Sequence, residues 1–363
     1  MNVEALFEPS RLAIARDRSG LTQVALSEAV GVSVRSIKGY ESGDLVPSPE
    51  TLRAMSRALG YAESFLCGSP IDALPLDAAS FRALSKASAK IRNKAVASGT
   101  FATSLLYPFL SERFDLPELN LPDLREETPA AAAETLRHHW GLGQRPIPHM
   151  IGLLESRGVR IFSLSEDCEA IDAFSIWRDG TPFVFLNTRK TAERSIFDAA
   201  HELGHLVLHK HGVPQGHDAE NEADHFASRF LLPEAAIRSQ APKLPTVAAV
   251  AAMKQRWRAS TAAIARRLHD LELMTDYQYT QFNKHLSQRG RHQEPSPLAR
   301  ETSIVLKKAL GALADEGLDL KAISSALHLP LAEVRALTFG LQSLDGGRRV
   351  VDIDRKRPEL KLL

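Results

Sequence analysis

The sequence predicts a mostly α-helical protein of the α+β class, with one small β-sheet set among many helices. Two patterns and a composition predict it. Apolar residues recur at helical spacing through most of the 363 residues. Short β-branched and aromatic runs occur only between about residues 158 and 188. A hydrophobic content of 44% with 25% charged residues is that of a chain able to bury cores. One core is too few at this length. An N-terminal all-α domain, a central domain holding the sheet and a C-terminal helical accessory region are therefore expected.

The elements follow in order. "PSRLAIARDRSG" stops at Gly20, "LTQVALSEAVG" opens on Thr22 as N-cap and stops at Gly31, and "SVRSIKGYESG" runs from Ser33 to Gly43. "SPETLRAMSRALG" opens on Ser48 with Pro49 in its first turn. These four helices make a small module over 8–66, followed by a helical connector over 67–135 with "DLPELNLPDLREE" as its loop. "VRIFSL" reads as a strand, and "AFSIWRDGTPFVFLN" as two strands about Asp179-Gly180, a favoured hairpin turn. Helix returns in "AERSIFDAAHELGHLVLHKH" and "AENEADHFASRFLLP", within a central domain over 136–290. "QEPSPLARE" reads as a linker to the accessory region over 298–345, and 346–363 as a basic, solvated tail. No fixed-period repeat is found.

A net charge of +1 supplies no global attraction to nucleic acid or anionic membrane, so any such binding must be local. Cys67 and Cys168 are the only cysteines, too few for a disulfide framework, which points to a reducing cytoplasm. The start "MNVEALFEPSRL" has no signal-like pattern and no run reaches the roughly 18 apolar residues of a spanning helix. A cytoplasmic protein without a membrane partner is expected.

"FDAAHELGHLVLHKH" holds four of the thirteen histidines. His201 and His205 lie four residues apart, one turn of helix, so both imidazoles project from one face and could share a cation. Zinc favours imidazole nitrogen, needs a third protein ligand and leaves a position for water, which Glu202 could serve as general base. The bland reading is a helix with solvated histidines. Against it stand the apolar flanks Phe197, Ala200, Leu203, Leu206 and Val207, and Gly204, which costs about 1 kcal/mol in a helix relative to Ala unless another backbone comes close. The next helix offers acids. Ala223, Phe226, Ala227 and Phe230 set its buried stripe, and Glu220 falls on the side of Ala223 and Asp224, whereas Glu222 is turned roughly 160° away. Spacing favours Glu220 as third ligand, with Glu222 as the alternative, and Asp224 as an acceptor that fixes the tautomer of a ligand histidine. His209 and His211 are expected to cap the helix end or face solvent, and His225 to be structural, with substrate contact as the alternative.

"FDAAHELGHLVLH" followed by "ENEADHFASRFLLP" resembles the ImmA/IrrE family of zinc metallopeptidases. There a gluzincin-like His-Glu-x-x-His helix precedes Glu-x-x-Ala-Asp/Asn-x-Phe-Ala and a Leu-rich stretch ending in Pro. The likeness covers about residues 130–290, with Leu232 where the family often has methionine. It implies one zinc ion per chain on His201, His205 and Glu220, and Glu202 as the catalytic residue that activates water. An exposed strand edge would hold the substrate backbone.

"LTQVALSEAVGVSVRSIKGYESGDLVPSPETLRAMSRALG" resembles the XRE/Cro-like helix-turn-helix family, through Thr22-Gln23, Glu41-x-Gly43, Pro49-x-x-Leu52 and Ala58-Leu59-Gly60. The likeness implies operator DNA as a partner, with Arg35, Ser36 and Lys38 facing the groove and Gln23 and Ser33 near phosphate. Residues 1–60 carry seven Lys/Arg against seven Asp/Glu, so a homodimer on paired half-sites would be needed for tight binding. A helix-turn-helix rhythm recurs in "LDLKAISSALHLPLAEVRALTFGL", where Leu327, Leu329, Leu331 and Leu337 serve equally as plain core. The combined resemblance implies a DNA-binding transcriptional regulator fused to a zinc endopeptidase. It would cleave a repressor protein, or its own chain, in a stress, phage or mobile-element response. The alternative is a non-catalytic transcription factor that uses the peptidase fold as a sensor or interaction domain.

Overall fold

Hydroxyl side chains start the second, third and fourth helices where the sequence places them, and the Glu8 carboxylate starts the first. The computed structural model describes residues 7–75, 87–164, 166–168, 170–209, 217–288 and 296–341. Helix α1 spans Pro9–Ser19, α2 Gln23–Val30, α3 Val34–Ser42 and α4 Pro49–Leu59. Thr22, Ser33 and Ser48 each accept the backbone N–H three residues on, which satisfies a donor that the helix itself leaves unpaired. Gly31 closes α2 at φ 78°, a left-handed conformation that sets the turn into α3. A short fifth helix, α5 Glu63–Leu66, ends the module.

Helix α6, Ala89–Phe101, passes through a π-helical turn over Ala102–Leu106 into α7, Tyr107–Ser111. After an extended stretch come α8 Pro129–His139 and α9 Met150–Ser156, then strands β1 Arg160–Leu164, β2 Ala173–Arg178 and β3 Thr181–Asn187. The remaining helices are α10 Ala192–Leu208, α11 His217–Leu231, α12 Glu234–Gln240, α13 Val247–Trp257, α14 Thr261–Asp270, α15 Asp276–Gln288, α16 Ile304–Asp315, α17 Leu320–Leu327 and α18 Leu331–Leu337. The mostly α fold with a small sheet is as expected. Residues 346–363, His211 and the stretch 76–86 lie outside the described residues.

The three strands run in the order β1-β3-β2, with β1 parallel and β2 antiparallel to β3. Asp179 and Gly180 both adopt positive φ, the backbone of a tight turn whose twist matches its strands. Alternation along the strands divides the sheet into two faces. Phe162, Phe174, Ile176, Phe183 and Phe185 join one core with α1 to α7 and α16 to α18. Ile161, Ala173, Val184 and Leu186 join the other, with α8 to α15. The N-terminal module therefore shares a core with the sheet. Phe174 stacks on Phe185 across the β2–β3 pair at 4.5 Å.

Charged groups reinforce these junctions. Arg18 of α1, nearly buried, donates to Asp167 at 2.8 Å and to Glu333 of α18 at 2.9 Å, and Lys94 of α6 reaches the same Asp167 carboxylate at 2.7 Å. Glu155, at the end of α9, accepts from Ser303 Oγ and from the Ile304 and Val305 N–H groups that open α16. In return Glu301 accepts the Ile151 N–H at the start of α9. Each helix start is capped by a carboxylate from the other segment. In the stretch read as a linker Leu298 and Glu301 are buried, while Ser296, Pro297, Ala299 and Arg300 are exposed. Leu320, Ile323, Leu327, Leu329, Val334 and Leu337 lie in the first core.

Candidate metal centre

Helix α10 starts at Thr191, whose hydroxyl accepts the Arg194 N–H, and is buried along nearly its whole length between the sheet and α11. Its Gly204 explains how α11 comes so close. A Cβ there would lie 3.2 Å from Ala223 Cα and 3.1 Å from Phe226 Cδ1, so the absence of a side chain lets the two backbones meet.

That approach brings the predicted donors together. His201 Nε2 and His205 Nε2 lie 3.0 Å apart, and each is 3.5 Å from an oxygen of Glu220. Among the described residues these three form the one cluster of side chains able to hold a metal ion, with all donor atoms within 4.8 Å of one another. Two imidazoles and a carboxylate are a donor set that zinc accepts. The electrostatics agree. Burial alone would lower His201, but its hydrogen bonds to Asp224 and Glu220 push it up to about 10. Burial would raise Glu220, yet the bonds from His201 and His205 hold it well below the usual carboxylate range. The gap between the three side chains thus favours positive charge, which a protonated imidazole or a bound cation would supply.

Outside that gap every imidazole has a partner. His201 Nδ1 lies 2.8 Å from Asp224 Oδ1, the contact expected for Asp224. His205 Nδ1 lies 3.0 Å from His209 Nδ1, and His209 Nε2 lies 2.8 Å from Glu222 Oε2. Glu222 is therefore turned to His209 rather than to the gap. His209 does occupy the C-cap position, but its side chain is only 8% exposed, so the expected solvent-facing ring is corrected by burial against α11. His225 is exposed and lines a cleft of about 1080 Å³ with Asp224, Phe197, Arg194, Arg229 and Arg266.

Glu202 is almost fully buried between α10 and β2, and Ser175 Oγ donates to its Oε2 at 2.6 Å. Trp177 Nε1 donates to Leu206 O at 3.2 Å from the same side of β2, pinning that edge strand to the helix. One turn before Glu202, Asp198 accepts from Arg194 at 2.8 Å while its Oδ2 has no hydrogen-bond partner among the described residues. Burial pushes Asp198 up to about 7, against the pull of Arg194. Sequence reasoning missed Ser175 and Asp198. The available signal was a hydroxyl at an inward position of β2, between Phe174 and Ile176, which face the other core.

At the N-terminal module, Arg35 and Lys38 of α3 are exposed. Ser33 is used as the α3 cap and lies 2.8 Å, Oγ to Oγ, from Ser36. Gln23 donates its amide to Glu41 at 2.6 Å, and Arg16 donates to the same carboxylate at 2.5 Å. Glu41 thus ties α1, α2 and α3 together, leaving Arg35 and Lys38 as the cationic groups on the outer face of α3.

Fold and site define the class: a metallopeptidase-type domain joined in one chain to a helix-turn-helix module. Residues 154–269 match the family model of peptidase family M78, the IrrE N-terminal-like domain, and residues 12–66 match that of a helix-turn-helix. Both resemblances carried by the sequence motifs are borne out. The chain has the make-up of a regulator with a DNA-binding-type module and a protease-family domain. No curated protein matches it. No helix among the described residues is long and apolar enough to cross a membrane.

Proposed function

We propose that this chain is a DNA-binding regulator fused to a zinc-dependent endopeptidase that cuts a repressor protein or its own chain. The observation that carries the reading is the convergence of His201 Nε2, His205 Nε2 and the Glu220 carboxylate beside Glu202. When bound, zinc supplies Lewis acidity toward water and the scissile carbonyl. His201, His205 and Glu220 hold it, and Asp224 orients His201. Glu202 takes a proton from water on its carboxylate and delivers it to the leaving amine nitrogen. Ser175 keeps that carboxylate in one rotamer through its bond to Oε2. The edge strand β2 offers its outer side to an extended peptide, which would add as a further strand. Arg35 and Lys38, with Ser36, present α3 to operator DNA, and a homodimer would set two such helices on paired half-sites.

Metal content of the purified protein tests the centre, with His201→Ala, Glu220→Ala and Glu222→Ala beside the wild type. Near-stoichiometric zinc lost with the first two and retained with the third is expected; a wild type that takes up no zinc at neutral pH overturns the reading. Intact-mass analysis then addresses the chain as its own substrate. A fragment that forms in the wild type and not in Glu202→Gln supports cleavage in cis, and the absence of such a fragment leaves a separate repressor as substrate.

The shared core favours a second reading, in which the peptidase fold acts as a sensor. Phe174 and Ile176 of β2 pack with the helix-turn-helix core while Ser175 on the same strand holds Glu202. A reporter assay separates the two. Glu202→Gln that regulates a promoter as well as the wild type favours the sensor, and loss of regulation favours proteolysis.

A further inference from the structure

We propose that His209 and Glu222 form a relay that positions His205 for the cation, in the way that Asp224 positions His201. The inference rests on the zinc reading above and concerns the residues that the reading leaves without a task. His205 Nε2 faces His201 Nε2 at 3.0 Å and Glu220 Oε1 at 3.5 Å, so Nε2 is its donor atom toward a metal. A neutral imidazole that ligates through Nε2 carries its proton on Nδ1. The atom facing that proton, at 3.0 Å, is His209 Nδ1. Two N–H groups cannot point at each other across that distance. His209 Nδ1 is therefore the acceptor, and its own proton sits on Nε2, where Glu222 Oε2 receives it at 2.8 Å. One arrangement of two protons satisfies all three side chains, and Glu222 ends the series as a carboxylate.

The two helices are built for it. His201 and His205 on α10 and His209 at its C-cap fall one per turn along one stripe. On α11 the acids fall at 220, 222 and 224. Glu220 reaches the gap between the first two rings, Asp224 the outer nitrogen of His201, and Glu222 the far ring. The spacing that turns Glu222 away from Glu220 is what carries it to His209. A ligand histidine whose second nitrogen donates into a carboxylate is held in tautomer and in ring orientation and becomes a better donor, and loss of such a partner lowers metal affinity by about 10–100-fold. Here the carboxylate acts through an intervening imidazole.

The test is zinc affinity of the full chain, by competition with a chromophoric chelator, for wild type, His209→Ala, Glu222→Ala, the double variant and Glu222→Gln, with Glu220→Ala as the reference for a lost ligand. Glu222 is 44% exposed, so its truncation leaves no core cavity. Thermal melts of the metal-free proteins check that each variant folds. Affinity about 10–100-fold weaker in each single variant, no weaker in the double variant, and largely recovered in Glu222→Gln, whose amide oxygen still accepts the His209 proton, is expected. Long-range ¹⁵N spectra should show His209 protonated on Nε2 and unprotonated on Nδ1. Unchanged affinity in both single variants, with zinc lost in Glu220→Ala, overturns the relay and leaves the centre standing. Zinc lost as completely in Glu222→Ala as in Glu220→Ala, with His209→Ala unaffected, makes Glu222 a ligand and also overturns it. A wild type that binds no zinc removes the centre and the relay together.

Discussion

Helices α3 and α10 both carry functional motifs, and they meet opposite environments. On α10 most polar groups are buried, and His201, Glu202 and His205 each meet a side chain of α11, of β2 or of the helix's own C-cap. On α3 the cationic groups Arg35 and Lys38 are exposed. A buried polar group depends on internal partners because leaving it unsatisfied costs about 1–3 kcal/mol, more when it is charged. An exposed charge carries no such penalty and remains available to an external ligand. The candidate centre on α10 is therefore arranged by the fold itself, whereas Arg35 and Lys38 on α3 remain open to an external ligand.

The comparison is broken most directly at the centre. His201→Ala or Glu220→Ala should weaken zinc binding by more than about a hundredfold, since even the partners of ligands are worth 10–100-fold. Chelator competition reads the effect, and a tenfold change or less would show that α10 is not arranged for a metal.

Glu155 extends the buried side of the comparison to the α9–α16 junction. Burial pushes its carboxyl up to about 7 against the three hydrogen bonds that it accepts. Its folded value lies above its unfolded one near 4.5, so the stability it contributes is complete below that pH and is lost as pH rises through about 7. From pH 5 to pH 8 the wild type should lose about 2–3 kcal/mol relative to Glu155→Gln, because holding a proton tenfold more tightly in the folded chain is worth about 1.4 kcal/mol. Urea titrations across that range measure it, and a difference between the two proteins that does not change with pH contradicts it.

Gly204 tests whether close approach of the helices is what assembles the centre. Gly204→Val would place a branched side chain against Ala223 and Phe226 and should cost about 1–3 kcal/mol. Zinc affinity should fall as well, because Glu220 and Asp224 ride on the displaced helix. A variant as stable as the wild type and with unchanged affinity shows that α11 has room to spare.

The smallest expected effects lie on α3. Arg35→Ala and Lys38→Ala should each weaken binding to a DNA selected from a random pool by about tenfold, and each should reduce the salt dependence by about one ion if it contacts phosphate. Their melting temperatures should match the wild type. An equal loss of binding and stability would place these residues in the scaffold rather than in the interface.

Local rules made much of the fold legible. Thr22, Ser33 and Ser48 cap helices as their sequence positions require, and Asp179-Gly180 turns the hairpin, because each depends on its own backbone and the next few residues. The pairing of His201 with His205 is likewise set by one helical turn. Glu220 and Asp224 were legible because the apolar stripe of α11 fixes which side faces α10. For His209 the C-cap position is met and the solvent-facing ring is not, since nothing local to it says that Glu222, thirteen residues on, closes over its ring. For Ser175 the sequence offered a hydroxyl between Phe174 and Ile176, but not its partner, because Glu202 is on another element.

By itself the sequence determined the two motifs, the helices that carry them, the hairpin and the donor types, all of which follow from backbone periodicity and side-chain chemistry over fewer than about 25 residues. Only the tertiary structure decided that the sheet has a core on each face, that the N-terminal helices share one of them, and that Glu155 and Glu301 cap each other's helices. It also decided which atom each imidazole turns toward the gap. Those outcomes depend on contacts between groups far apart in the chain, where packing and the need to satisfy buried polar atoms select one arrangement from many that local propensity allows.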